Sequence, residues 1–364
     1  MKILLVRLRL LGDVVFTTPL VRALKRRYPD AHLTYVVEPA AAAVVHGNPN
    51  LNDVVVIPKN TGIRRLREDF AFARRLRRAQ FDVAIDLHGG PRSAWLVWTS
   101  AAPMRIGYRT RGRTWMYSHV VARPADLSPQ HSVLKQWELL APLSIGDCDR
   151  SRDAVEMPGN RAATERVERV LAQAGIGQAH SLIVLHVSAG NPFRRWPQEY
   201  FAALVVQLAR HAPGRRFVLT SGPSDAGAAR AIMERIQVLS QEAAGAVFNP
   251  PLDVDDLRAL IARATLYIGG DSGPLHIAAT THTPIVALFG PTLAERSMPW
   301  RDPRWFAESV DAGPLRCRPC KQRACEPGDF RCLTGISPER VAAAAERALA
   351  ATRAEAEPRL RALV

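Results

Sequence analysis

Leu266-Tyr267-Ile268-Gly269-Gly270-Asp271-Ser272-Gly273-Pro274-Leu275-His276 is a short apolar run that breaks into small residues and reopens as a helix. Where a parallel strand feeds a helix in this way, unpaired backbone N–H groups and the positive end of the helix dipole converge on one point, which suits a phosphate or diphosphate. Tight strand–helix turns also serve purely structural ends, so the stretch alone leaves both readings open. Around it the pattern repeats. Strands are expected at 181–187, 216–220, 246–248, 266–269 and 284–289, separated by helices at 197–211, 225–238, 253–262 and 273–281. The N-terminal half alternates likewise, with short β-branched strands at Ile3 to Leu8, Leu33 to Val37, Val54 to Ile57 and Val83 to Leu87, and helices near 18–28, 39–46, 63–79 and 92–100. Thr18-Pro19 reads as an N-cap followed by Pro at the first helical position.

The fold class expected is therefore α/β, with two Rossmann-like domains facing each other across a cleft where ligands bind. The boundaries expected are 1–160 for the first domain, 161–180 for a bridging helix, 181–336 for the second domain and 337–364 for a last helix and a fraying tail. Between the halves lie a polar stretch at 109–130, a helix near 132–143 and a loosening of the pattern from Gly146 to Asn160.

Charge is the unusual bulk property. The 364 residues carry 49 Lys+Arg against 34 Asp+Glu, a net of +15. Residues 1–150 hold 23 basic and 12 acidic side chains and so account for +11 of it. Such an imbalance points to an anionic partner met by the N-terminal half, whether nucleic acid, an anionic membrane surface or a phosphorylated substrate; it also arises where Arg simply populates solvated faces. The helix expected over 63–79 shows both sides of the question: Ile63, Leu66, Phe70, Ala73 and Leu76 form an apolar stripe, with Arg64, Arg67, Arg74, Arg75 and Arg78 off it. Nucleic acid rests on charge alone, without an RNA-binding signature, and is not an expected partner. The first apolar run, Lys2 to Val6, is too short for a signal peptide and no span is long enough to cross a membrane, so a cytoplasmic location is expected.

The chemistry-bearing residues cluster at strand ends. In Leu8-Arg9-Leu10-Leu11-Gly12-Asp13 a strand runs into a loop whose carboxylate could serve as a general base or as a turn or helix-cap residue. In Ser188-Ala189-Gly190-Asn191-Pro192-Phe193-Arg194-Arg195-Trp196-Pro197, hydroxyl, amide and guanidinium groups follow the first strand of the second half. Arg194 or Arg195 could neutralise a diphosphate there, or pair with surface carboxylates while Trp196 fills the core. Asp253-Val254-Asp255-Asp256 opens a helix and Asp147-Cys148-Asp149 lies between the halves, so neither Asp-x-Asp string is placed to hold a metal–diphosphate. His88 and His186 are isolated strand-end residues, and Tyr267 reads as packing. Cys317, Cys320, Cys325 and Cys332, spaced C-x2-C-x4-C-x6-C in an irregular Arg- and Pro-rich segment, read either as a structural zinc or iron site or as reduced thiols.

Taken in order, Leu-Gly-Asp and Thr-Thr-Pro after the first strand, Arg105-Ile106-Gly107-Tyr108, Arg-Arg-Trp-Pro, Gly-Asp-Ser-Gly-Pro-Leu-His and Ala287-Leu288-Phe289-Gly290-Pro291-Thr292 resemble the glycosyltransferase family 9 heptosyltransferases over nearly the whole chain. The resemblance implies a GT-B fold whose N-terminal domain receives a lipid-linked, anionic inner-core sugar of lipopolysaccharide and whose C-terminal domain holds ADP-heptose. It implies inverting transfer with no metal required, at the cytoplasmic face of the inner membrane. Asp13 matches the family's proposed general base. Arg194 stands where the family commonly places a Lys on the donor phosphates. Ser188, Asp271, Ser272, Gly273 and His276 match donor-binding positions, with Asp271 expected to cap the helix that holds the diphosphate. Leu252 falls near the adenine, and Asp225 is a candidate for the ribose. Arg105, Arg109, Arg111 and Arg113 are candidates for the acceptor's anionic groups. Cysteine clusters occur in part of the family. A GT-B enzyme with another donor such as a UDP-sugar, or with another acceptor, and a non-enzymatic nucleotide- or nucleic-acid-binding module are the competing readings.

Overall fold

The computed structural model describes the backbone of residues 1–58, 62–125, 128–222 and 225–361, with the side chains of these residues except 63–65, 226 and 352–361. Contacts divide the chain into two compact units, Met1–Pro158 and Gly159–Val364.

The first unit is a six-stranded parallel sheet of β1 (Lys2–Val6), β2 (His32–Val37), β3 (Asp53–Val56), β4 (Val83–Asp86), β5 (Met104–Tyr108) and β6 (His119–Val121), in the order β3-β2-β1-β4-β5-β6. The second has β7 (Ser181–His186), β8 (Arg215–Thr220), β9 (Val247–Phe248), β10 (Leu266–Gly270), β11 (Ile285–Phe289) and β12 (Ala307–Asp311), in the order β12-β11-β10-β7-β8-β9. Numbered within its own unit, each sheet runs 3-2-1-4-5-6, the Rossmann order, in which the chain reverses direction across the sheet between strands 1 and 4. That fixes one crevice in each unit, outside the carboxyl ends of β1 and β4 and of β7 and β10. The central strands are covered on both faces: Ile3 to Val6, Leu182 to Leu185 and Ile285 to Phe289 are all but inaccessible, which is why they read as unbroken apolar runs.

Three strands absent from the sequence reading are β5, β6 and β12, which lie toward or at the sheet edges. An edge strand is buried on fewer sides, so Ala307-Glu308-Ser309-Val310-Asp311 keeps polar residues that hide its strand character. In β5, Gly107 is there for closeness: a Cβ at this position would stand 2.4 Å from the Tyr117 ring.

Several expected helices differ locally. Residues 39–44 form a 3-10 turn, and the helix expected over 132–143 splits into Ser132–Trp137 and a 3-10 turn Glu138–Leu143 that holds Pro142. Thr18 lies inside its helix, after Thr17 at the N-cap, and its hydroxyl accepts the Glu156 N–H at 2.9 Å. Leu11–Val15 is helical, so Asp13 stands in a first helical turn and not in a loop. In the helix Gly62–Arg78, Ala73 and Leu76 are buried but Leu66 and Phe70 are exposed, so the apolar stripe is only half used by the core; the side chains of Ile63 and Arg64 lie outside the described residues.

The helix Arg161–Gln173 groups with the second unit. Asn160 caps it by accepting the Ala163 N–H at 3.2 Å, and Arg166 donates to Asp256 at 2.9 Å on the neighbouring helix Val254–Arg263. Asp253 caps that neighbour through the Asp256 N–H at 2.7 Å, as the acidic helix start suggested. The last helix, Pro338–Arg361, packs through Val341, Ala344, Ala345 and Ala348 on the second unit's core. Arg215 fixes it with two bonds, of 2.6 and 2.7 Å, to the Glu346 carboxylate. The side chains of the tail after Ala351 lie outside the described residues.

Candidate active-site residues

In the first unit, β1 delivers the chain to the crevice and the turn after it delivers Asp13. One carboxylate oxygen, Oδ2, lies 2.5 Å from an Arg7 terminal nitrogen and accepts the Leu10 N–H at 3.4 Å. Arg7 also donates to the Leu87 carbonyl, tying the end of β1 to the end of β4. The other oxygen, Oδ1, has no partner among the described residues, and the side chain is 36% exposed. Asp13 is therefore held by one oxygen and open at the other, the arrangement a proton acceptor needs.

Beside it, β4 ends at Asp86, fully buried, whose carboxylate accepts the Tyr117 hydroxyl at 2.6 Å and the His88 and Gly89 N–H groups at 2.9 and 2.8 Å. His88 contacts the Arg9 carbonyl through Nδ1 at 3.1 Å. Burial first, and then the Arg7 charge, push its pKa below the ordinary value, so the ring is neutral at pH 7. Arg7 touches Asp13 directly, while Asp86, His88 and Tyr117 shape the adjacent end of β4. Sequence reading missed three of them and left His88 unassigned, because Arg7 follows directly on an apolar strand and Asp86 meets Tyr117 only through the fold. Of the four candidate acceptor arginines, Arg113 reaches this crevice, donating to the Gly89 carbonyl at 3.4 Å, and Arg109 and Arg111 are exposed just past the end of β5. Arg105 does not. It lies near the start of β5, and its guanidinium is engaged by the Met116 and Ala102 carbonyls at 2.9 and 2.6 Å.

In the second unit the residues expected around a diphosphate come together outside β7 and β10. Asp271 is buried, 3% exposed, and binds Arg194 at 3.0 Å, the Thr292 hydroxyl at 2.7 Å and, more distantly, His276 at 3.7 Å. Burial alone would raise its pKa, but the His276 contact, the Arg194 charge and the Thr292 bond outweigh it and hold the carboxyl down at about 2. This corrects the capping role expected for Asp271. Ser272 occupies the N-cap of the helix Gly273–Ala278, and no side chain caps it: the Ser272 hydroxyl turns back to the Gly270 carbonyl at 3.2 Å. The helix start is left to the backbone N–H groups, and Asp271 instead anchors Arg194 above it. Arg194 gives Nε to Gln322 at 2.7 Å and Nη1 to Asp271, leaving Nη2 without a partner among the described residues.

Ser188 is buried and accepts the Gly222 N–H at 2.8 Å, joining the turns after β7 and β8. Beneath it His186, contacting Thr220 at 2.9 Å, is lowered to about 4 by burial and is neutral. Arg195 donates to the Ala189 carbonyl at 2.9 Å and lies 3.2 Å from Asp225, so Asp225 braces the same turn. Leu252 is set apart from the Asp271 group, lining a hollow of about 260 Å³ with Arg166, Val170 and Pro251. Trp196 is a packing residue, buried and donating to the Ile336 carbonyl at 2.9 Å. Tyr267 is wholly buried, its hydroxyl so near Gly269 that a Cβ there would stand 2.6 Å away.

The cysteine segment supports this group from behind. Gln322 accepts from both Asn191 and Arg194, Arg318 donates to the Thr292 carbonyl at 2.9 Å, and Phe193 packs on Phe330 with ring centres 5.4 Å apart. Cys317, Cys320, Cys325 and Cys332 are free thiols. Cys332 is pushed up to about 11, by burial first and then by its three neighbours. Among the described residues, however, no group of three or more Cys, His, Asp or Glu side chains is drawn together closely enough to hold a metal ion. Gln322, which helps set the Arg194 geometry, was not singled out, and Thr292 was quoted only as the end of a motif, the Gly-Pro-Thr that follows β11, without a role of its own.

Comparison with known proteins agrees with this arrangement. Residues 70–329 match the family model of glycosyltransferase family 9 (heptosyltransferase). Lipopolysaccharide heptosyltransferase 3 of Escherichia coli is 30% identical over 303 residues, covering 80% of this chain and 84% of that protein. A glycosyltransferase family 9 structure from Veillonella parvula superposes with a TM-score of 0.84 at 25% identity, covering 96% of this chain and 97% of the other. The E. coli ADP-heptose lipopolysaccharide heptosyltransferase II shares the fold, with a TM-score of 0.76 at 21% identity over 97% of this chain and all of that one. Two parallel Rossmann sheets with helices on both faces, in this order, are the GT-B class. The chain belongs to glycosyltransferase family 9, the heptosyltransferases, and is a glycosyltransferase.

Proposed function

We propose that the protein transfers heptose from ADP-heptose to a sugar of the lipopolysaccharide inner core, with inversion at the anomeric carbon and Asp13 as the general base. The observation that carries the mechanism is the pair of contrasting carboxylates. Asp271 is buried and fully engaged, and so is a positioning residue. Asp13 is half-exposed with one oxygen open. Only the second can take a proton from substrate.

In this reading the acceptor hydroxyl gives its proton to Asp13 Oδ1 as its oxygen bonds to the anomeric carbon, and the bond from that carbon to the β-phosphate oxygen of ADP breaks. A nucleoside diphosphate leaves readily at neutral pH if its new charge is met, so one carboxylate suffices, unlike the two that glycoside hydrolysis calls on. Arg194, with Nη2 available, and the uncapped N–H groups at Gly273 would meet that charge; no step calls on a metal. The relatives support the donor and acceptor, since they are named for lipopolysaccharide heptosyl transfer and one for ADP-heptose. In the same reading the lipid-linked acceptor is met at the cytoplasmic face of the inner membrane.

Thermal shift with ADP, UDP, GDP and CMP tests the donor. ADP is expected to stabilise the protein by mass action, and Arg194→Ala to weaken its binding about tenfold or more, the loss typical of a charged hydrogen bond. Stabilisation by UDP and not by ADP would replace the donor, and unchanged ADP affinity in Arg194→Ala would remove that residue from the phosphate site.

A further inference from the structure

The first unit displays an aromatic surface that neither its core nor the proposed chemistry uses. Leu66 and Phe70 on the helix Gly62–Arg78 are each 57% exposed, Trp98 at the end of the helix Pro91–Thr99 is 43% exposed, and Trp115 on the turn Thr114–Met116 is 62% exposed. The aromatic side chains among them are joined, and Leu66 lies one helical turn before Phe70. Phe70 packs edge-on against Trp95 and Trp98 edge-on against Trp115, each with ring centres 5.4 Å apart. Phe70, Trp95 and Trp98 line an open groove of about 680 Å³ together with Arg74, Arg77 and Arg105, and Trp115 extends it through its contact with Trp98.

The charge of the rim is not cancelled. Arg74 and Arg77 have no acidic partner among the described residues, while Asp69 on the same helix is buried and taken by Arg92 at 2.6 Å. Arg67, Arg75 and Arg78 are exposed on the same helix. Isolated exposed apolar residues are ordinary, but a joined aromatic patch of Phe70, Trp98 and Trp115 edged by free guanidinium groups is not. Indole and guanidinium side by side match the interfacial layer of a bilayer, where tryptophan sits at the headgroup level and each basic residue gains from anionic lipid.

We propose that this face, formed by Leu66, Phe70, Trp98 and Trp115 with Arg74 and Arg77, docks the protein peripherally on an anionic phospholipid bilayer. No helix among the described residues is long and apolar enough to cross a membrane, so the attachment is superficial. Two other occupants fit less well. A second copy would bring a chain of net charge +15 against an arginine-lined face. A single-stranded nucleic acid needs open ring faces for stacking, whereas Trp98 and Trp115 stand edge to face and Leu66 offers none. The inference does not depend on the donor or on Asp13.

Sedimentation of the full-length protein with vesicles, without nucleotide or acceptor, tests it. Vesicles of phosphatidylglycerol and phosphatidylcholine in equal parts are expected to bind at least about tenfold better than phosphatidylcholine alone, with the preference falling as salt is raised. Trp98→Ser with Trp115→Ser should weaken binding about tenfold while the melting temperature is kept, and Arg74→Glu with Arg77→Glu should abolish the preference for the anionic lipid. Equal binding to both vesicle types, or undiminished binding by both double variants, overturns the proposal. So does a dimer that the tryptophan variant dissociates, which would assign the face to a second copy, or displacement from vesicles by a single-stranded oligonucleotide.

Discussion

Asp13→Asn is expected to lower turnover about 100-fold or more while ADP affinity stays within about twofold of the parent. The substitution keeps the shape of the side chain and removes its ability to take a proton. Arg7 fixes the orientation of what remains: its N–H groups require an acceptor, so the amide oxygen must take the place of Oδ2 and the amide NH2 must take the place of the open Oδ1. On the proposed mechanism a donor then faces the acceptor hydroxyl in place of the base. The helical turn of Asp13 is set by backbone bonds such as Val14 N–H to the Leu10 carbonyl at 2.9 Å, so the fold around it should persist. Turnover of ADP-heptose and acceptor at saturation, paired with ADP-induced thermal shift, separates the two effects. Undiminished turnover would remove Asp13 from the chemistry, and lost ADP affinity would show that it acts on the donor.

The strands that carry the site were legible in the sequence because they are buried on both faces. Leu4-Leu5-Val6 and Ile183-Val184-Leu185 announce themselves without help from pattern, and the small residues after them mark where the chain turns into the crevice. Edge strands such as β12 were not legible, because a strand with solvent on one side need not be apolar. Site residues divide by the same logic. Asp13, Ser188 and Asp271 follow buried strands directly and could be found locally. Their roles could not, since Asp-Ser-Gly-Pro looks like a helix cap until Thr292, 21 residues on, and Arg194, 77 residues back, are brought against the carboxylate. Arg105 shows the complementary case: it stands near the start of a parallel strand, and its guanidinium is taken by the Ala102 and Met116 carbonyls on either side of β5 in sequence.

Asp271→Asn should destabilise the second unit by about 2 kcal/mol at pH 7 and weaken ADP binding in the same variant. The carboxylate's pKa is depressed in the folded protein, to about 2 from an ordinary 3.8. A depressed acid contributes stability that is fully present above the unfolded value, near pH 4, and is lost as the pH falls through the folded value near 2. The difference corresponds to about 2 kcal/mol, and at 3% exposure little of it is screened by solvent. Asparagine can still accept the Thr292 hydroxyl but cannot hold Arg194 as an ion pair, which frees a guanidinium that its buried partner had oriented. Urea unfolding of both proteins from pH 7 down to pH 2 should show the stability gap narrowing below about pH 4, because acid neutralises the parent's carboxylate and brings it toward the variant. A gap that stays constant through that range would mean that Asp271 supports the fold by shape and hydrogen bonding alone. A closing gap joined to weaker ADP binding would show that the charge which stabilises this turn is also what aims Arg194 at the diphosphate.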